Sequence, residues 1–403
     1  MTTTEVAAVR TPAWRGGFGR LWTAAVVSKF GDSLRTAAMP LLAASLTDDP
    51  LLIASVTACG YLPWLLFGLL GGAVADRVDQ RRAMWAVDLL RGLLMAGFAL
   101  AVRLDLASIA LLLALAFALT SLQTLFDNAA AALLPSLVPA DALGSANARL
   151  MTAQQIVGGF LAAPLVPVLL VAGAATPYAT DAATYAVAAV LVASLGARPP
   201  KRAPGAAGST LRGEIGEGLR TLWRDSAQRG LCIATTLCNI GMGALIATLV
   251  VHVTGWLDAG NSGYAAVITA FGAGSVMGGL LARRLADRFG RIRSVFAAGL
   301  VQTGCLVAMG SVRALWATVA AMAVFAVMGM VWNVNQTTLV QERSPAHLLG
   351  RVSSAFRTLA IAGAPLGALL GGAAAAAWGP NTPALLAAGL FVPAVASLAP
   401  LIN

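Results

Sequence analysis

Apolar runs of about twenty residues follow one another along the whole chain, separated by short charged or Gly/Pro-rich breaks. Each run is long enough to cross the ~30 Å hydrocarbon core of a bilayer as a helix. Twelve are predicted, at 22–46, 51–75, 83–102, 106–128, 153–173, 180–197, 230–253, 262–282, 294–311, 315–338, 354–378 and 382–401. The last two come from one uncharged stretch, divided by the turn-forming "WGPNTP" at 378–383. A lipid-embedded helix satisfies its own backbone polar groups, so the pattern predicts an all-α membrane protein with twelve transmembrane helices.

The longest break, 198–229, opens with the flexible-linker composition "RPPKRAPGAAGS". It continues as a predicted amphipathic helix with Leu219, Leu222 and Trp223 on its apolar side. This divides the chain into an N-terminal bundle (1–197), a cytoplasmic central loop (198–229) and a C-terminal bundle (230–403).

Composition strengthens the membrane reading. Of 403 residues, 58% are hydrophobic and 11% are charged, and the mean hydropathy is +0.80. Soluble domains carry about 25% charged residues, so this chain lacks the polar surface of a water-soluble globule. The net charge of +10 alone would suggest nucleic-acid binding. The placement of the cations excludes that partner. With both termini in the cytoplasm, all but five of the 27 Lys and Arg residues fall on the inner side. The five are Arg103 and Arg313 in outer loops, and Lys29, Arg35 and Arg91 within spans. That is the positive-inside bias. It predicts a multi-pass protein of a bacterial inner membrane. The first span is long enough to be retained rather than cleaved as a signal peptide. Cys59, Cys232, Cys238 and Cys305 sit in apolar runs without metal-ligand or disulfide spacing, and read as small core residues.

The chain also repeats itself. Gly71-Gly72 and the basic knot at 76–82 align with Gly278-Gly279 and Arg283-Arg284, an offset of 207. Val138-Pro139 through Leu143-Gly144 aligns with Ser344-Pro345 through Leu349-Gly350, an offset of 206. Two segments whose offsets agree to within one residue predict two six-span halves in the same orientation, a pseudo-symmetric pair of bundles. The small residues before each knot permit close helix approach: Gly68 and Gly72 are four apart, as are Gly274 and Gly278. Gly363, Gly367 and Gly371 form a similar stripe.

Gly72 to Arg82 resembles the major facilitator loop signature Gly-x-x-x-Asp-Arg-x-Gly-Arg-Arg, departing from it at Asp79 and Gln80. "SKFGDS" at 28–33, "DLLRGLL" at 88–94, "EGLRTLWRD" at 217–225, "WNVNQTTLVQERSPAHLLGRVSSAFR" at 332–357 and "GAPLGALLGG" at 363–372 resemble the drug:proton antiporter branch. That branch includes macrolide-efflux proteins and the enterobactin exporter. The resemblance covers essentially the whole chain. It implies the major facilitator fold and export of a drug-like molecule by proton antiport, with neither enzymatic activity nor cofactor. One departure stands out: the Gly-Pro-x-x-Gly-Gly element often found in span 5 reads "GGFLAAPLVPVLL" at 158–170.

Several residues carry candidate chemistry. Asp32 lies near the middle of span 1, flanked on one helix face by Lys29 and Arg35. An ionised carboxylate there costs at least about 2.5–3.5 kcal/mol. Asp32 is either a proton carrier tuned by Arg35 or half of a permanent Asp32–Arg35 brace. By the family's pattern, the first and fourth helices of each half line the substrate cavity. They offer Gln123, Asp127, Thr235, Asn239, Trp332, Asn333 and Gln336, a few polar groups among apolar walls that suit an amphipathic molecule. Met242, Met328 and Met330 are expected to pack rather than face substrate. Gly72, Asp76, Arg77, Arg81 and Arg82, with Asp88, Arg91 and Asp127 as partners, form either a cytoplasmic gate between helices or a topology anchor. Arg357, near the start of span 11, contacts an anion or a headgroup. No phosphate-cradling loop is present, and His252 and His347 are isolated, so neither ATP hydrolysis nor a metal site is expected.

The expected partners are therefore a small-molecule substrate, protons and the lipid bilayer, with the protein acting as a monomer. Export of a siderophore or other secondary metabolite, and lysolipid translocation, are the alternative readings.

Overall fold

The structure, a computed structural model, describes residues 17–75, 79–139, 142–195, 211–345 and 348–401. All regular structure among them is helical. The first half contains α1 (Gly17–Leu46), α2 (Pro50–Ala75), α3 (Gln80–Arg103), α4 (Ile109–Leu133), α5 (Leu143–Ile156), α6 (Ala162–Ala172) and α7 (Thr176–Ala193). A π turn, Val157–Leu161, joins α5 to α6, so these two form one span. After α8 (Leu211–Arg224) come α9 (Ser226–Val251), α10 (Gly260–Phe289), α11 (Arg291–Ser311), α12 (Leu315–Arg343), α13 (Leu349–Trp378) and α14 (Thr382–Ala396). Setting α8 aside as the loop helix, these are the twelve transmembrane helices of two six-helix bundles.

Among the described residues, eight helices are long and apolar enough to span by length and composition alone. Helix α1 is not among them, because Lys29, Asp32 and Arg35 lie along its middle.

Several boundaries move for identifiable reasons. Span 5 begins at Leu143, because helix and π turn continue without a break to Ala172. Helix α10 runs through Arg283 and Arg284 and stops at Gly290, whose φ of 85° suits only glycine. Helix α9 starts at Ser226, where the Asp225 carboxylate accepts from the N–H groups of Ala227 (2.8 Å) and Gln228 (3.1 Å). Asp79, where the family signature has glycine, caps α3 by accepting from the Arg82 N–H at 3.0 Å.

The glycine stripes work as close-packing surfaces. A Cβ on Gly367 would lie 1.9 Å from the Ile240 carbonyl oxygen, and one on Gly371 2.6 Å from that of Ala244, so α13 lies backbone to backbone on α9. Gly274 and Gly278 seat α10 on α12 in the same way.

The two faces of the bundle differ. We call the face carrying the α1 start, α8 and the α12–α13 turn the basic face. Away from it, one apolar core joins both halves, running from Leu34, Ile53 and Phe98 to Leu249, Tyr264 and Phe391. A dry patch of Ala54, Ala58, Ala247 and Ala368 adds to the seal. Toward the basic face the core splits in two. Phe18, Leu21, Met84 and Phe126 belong to one half, and Leu231, Trp332, Val352 and Leu398 to the other. Among the described residues, the apolar cores of the two halves thus merge away from the basic face and stay separate toward it.

Helix α8 packs against α13. Glu217 pairs with Arg351, and Leu222 is fully buried. Trp223, expected on the apolar side, is exposed.

Candidate functional site

The first half buries an ion network at mid-membrane. Helix α7 packs against both α1 and α3. Gly31 allows the first contact: a Cβ there would lie 2.0 Å from Thr184 Oγ1 and 2.3 Å from Asp181 Oδ1. Gly92 brings α3 to within van der Waals distance of Tyr185 and Ala182. Asp32 and Arg35 from α1 therefore meet Asp181 and Tyr185 from α7. The Arg35 guanidinium bridges Asp32 Oδ1 (3.0 Å) and Asp181 Oδ2 (3.3 Å). The Tyr185 hydroxyl donates to Asp32 Oδ1.

Arg91 is the second hub. Its fully buried guanidinium donates to Asp88 Oδ1 and Gln123 Oε1 and lies 4.0 Å from Asp32 Oδ2. It also rests on the rings of Tyr185 and Phe126, 4.4 and 4.9 Å from their centres. Gln123 Nε2 donates onward to Asp127 Oδ1 at 2.7 Å. Three buried carboxylates (Asp32, Asp88, Asp181) thus face two guanidinium groups, with Asp127 and Lys29 at the exposed rim.

The second half holds a cavity of about 640 Å³. Thr235 and Asn239 from α9 line it, with Trp332, Asn333 and Gln336 from α12. The Gln336 carbonyl accepts from Thr235 Oγ1 and from Trp332 Nε1, both at 2.8 Å, which fixes the amide plane at the wall. Phe271, Phe325 and Phe356 supply apolar surface. Met242 and Met330 line the cavity too, contrary to the expectation that they only pack; Met328 does pack, against the apolar core of this half.

The sequence groupings are therefore redistributed. Of the residues expected to line the cavity, the five from the second half do so. Gln123 accepts from Arg91 and donates to Asp127, which is exposed. Asp88 and Arg91, expected beside the loop gate, pair within the ion network, because α3 turns that face toward α1 and α7. Arg81 donates to the Ala193 carbonyl at the end of α7, and Arg82 pairs with Asp79 at the surface. Gly72 lies in the last turns of α2. Asp76 and Arg77 lie outside the described residues.

Asp181 and Tyr185 were not singled out from sequence. The available signal was a lone carboxylate in an apolar run, with Thr184 and Tyr185 on the same helical face.

The Major Facilitator Superfamily model matches residues 21–364 and 231–402. The chain belongs to the Major Facilitator Superfamily. As a member it is a multi-pass membrane transporter. It is 28% identical over 367 residues to the uncharacterized MFS-type transporter y4rN of Sinorhizobium fredii, covering 88% of each chain. It is 28% identical over 386 residues to the multidrug efflux pump Tap of Mycolicibacterium fortuitum, covering 91% of this chain and 90% of that one. Its fold matches the nucleoside transporter NupG (D323A mutant) with a TM-score of 0.78 at 10% identity, over 95% of this chain and 100% of that one. It also matches a bacterial homologue of the iron transporter ferroportin, solved in an inward-facing state. That TM-score is 0.72 at 13% identity, over 96% and 98% of the two chains.

Proposed function

We propose that this protein exports an amphipathic organic small molecule by proton antiport, through alternating access. It acts as a monomer in a bacterial inner membrane, with the basic face and both termini in the cytoplasm. The observation that carries the reading is the buried network of the first half, in which carboxylates outnumber guanidinium groups by one. An uncompensated charge at membrane depth is expensive. A bound proton removes it, and proton loss restores it.

The other half supplies a mixed apolar and amide surface of a size suited to a drug-like molecule. Similarity to the multidrug efflux pump Tap supports that substrate class. Separation of the two apolar clusters toward the basic face supports loading from the cytoplasm. Coupling requires the proton and the substrate to favour different facing states, since a ligand shifts an equilibrium only by its differential affinity. Asp32 is placed to report the proton to both halves of the network, through Arg35 to α7 and through Arg91 to α3 and α4.

The test uses everted membrane vesicles, acid inside, with a panel of fluorescent amphipathic dyes. Accumulation that collapses on adding a protonophore is expected. Accumulation indifferent to the pH gradient contradicts proton antiport, and lipid flipping without a gradient favours lysolipid translocation instead.

A further inference from the structure

We propose that Arg357 reads the charge of the transported molecule, and that the cavity selects an amphipathic organic anion, such as a carboxylate, over a cation. The inference refines the export reading by naming its substrate class.

Arg357 is the eighth residue beyond the start of α13, about 12 Å along the helix. Its side chain is exposed on the wall of the cavity. Among the described residues lining that cavity there is no carboxylate and no second cation. The other two arginines at membrane depth, Arg35 and Arg91, are each matched to carboxylates. Arg357 has neither an ion pair nor a hydrogen bond among the described residues. Its one recorded interaction is with the Trp64 ring, 5.9 Å away on α2 of the other half.

A cation at this depth is costly to keep without an anion. Stacking on an aromatic ring offsets only about 0.5–1 kcal/mol at a hydrated site. The guanidinium fork matches a carboxylate in bidentate fashion, and the amides of Asn239, Asn333 and Gln336 offer neutral donors beside it. The phenylalanines of the same wall would hold the apolar body of such a molecule. In the ion network of the first half, the exposed members Lys29 and Asp127 carry one charge of each sign. The described lining of the cavity thus carries one positive charge, that of Arg357. Because Trp64 belongs to the opposite bundle, an anion that draws Arg357 off the ring also alters a contact between the halves.

The test measures equilibrium binding in nanodiscs with no pH gradient, using two probes that share a fluorophore and differ in charge. Dansylglycine carries a carboxylate, and dansylcadaverine carries an ammonium. The wild-type protein in phosphatidylcholine nanodiscs is expected to bind dansylglycine at least roughly tenfold more tightly than dansylcadaverine. Arg357→Gln abolishes the difference, and Arg357→Lys keeps part of it. Should Arg357→Gln fail to fold, the wild-type preference and the Lys variant decide. Equal affinity for the two probes, tighter binding of dansylcadaverine, binding of neither, or an unchanged preference in the Gln variant overturns the proposal. Loss of dansylglycine binding when phosphatidylglycerol is added assigns Arg357 to a lipid headgroup and also overturns it. Without a gradient, the result is independent of proton coupling, so failure of antiport leaves this measurement intact.

Discussion

The two halves share an ancestry visible in their repeated loops, yet their interiors differ in kind. The first half buries Asp32, Asp88, Asp181, Arg35 and Arg91 in one connected network. At the corresponding depth, the second half presents Thr235, Gln336 and Trp332 around a cavity. Tight, small-residue packing is common to both: Gly31 seats α1 on α7, and Gly367 seats α13 on α9. Duplication thus preserved the scaffold while the polar chemistry diverged. A buried ion network in one bundle and a cavity whose one described charge is Arg357 in the other are the arrangement on which the proposed separation of proton handling from substrate contact rests.

The sharpest way to break that contrast is to strip the network of its hub. Arg91→Leu leaves the buried Asp88 without its cation and Asp32 with Arg35 alone. Removing one partner of a buried ion pair costs about 3–5 kcal/mol, so loss of folded protein in detergent, read by thermal denaturation, is the expected outcome. A second change tests the packing that brings the network together. Gly31→Ala places a methyl group 2.0 Å from Thr184 Oγ1, and overpacking of this kind costs roughly 1–3 kcal/mol. The thermal midpoint falls, and proton-driven transport falls with it. Gln336→Ala sits in the cavity of the second half. It removes the acceptor that orients Trp332 and Thr235, and weakens equilibrium binding of a substrate dye by about tenfold, or roughly 1.4 kcal/mol, while the melting profile stays near wild type. Arg82→Ala should be the quietest. Its pair with Asp79 is solvent-exposed at 3.6 Å, and such pairs contribute about 0–1 kcal/mol. A large loss of stability from that change would show that the loop charges do more than anchor the chain.

Much of this arrangement is readable in the sequence because it depends on local pattern. Uninterrupted apolar length specifies a span. The offset between Gly71-Gly72 and Gly278-Gly279 reveals the duplication, and Gly363, Gly367 and Gly371 at spacing four mark a backbone contact. The partners inside the network are harder to see. Asp32 and Tyr185 are 153 residues apart and belong to helices whose rotation about their axes is set by packing. Helical periodicity says that Asp88 and Arg91 share a face, but not which neighbour that face meets. For the same reason Gln123 reads as a cavity residue until α4 is seen to turn it toward Arg91. The Met residues show the limit in the other direction: composition cannot tell a methionine that fills a core from one that borders a cavity.

The division of labour is tested most directly by Asp32→Asn, measured in one preparation for two properties: binding of dansylglycine at equilibrium, and its accumulation driven by a pH gradient. The account predicts binding within a few-fold of wild type, because Asp32 lies outside the cavity lining, together with loss of gradient-driven accumulation. Undiminished accumulation in the Asn variant, or loss of both properties at normal protein levels, would contradict it.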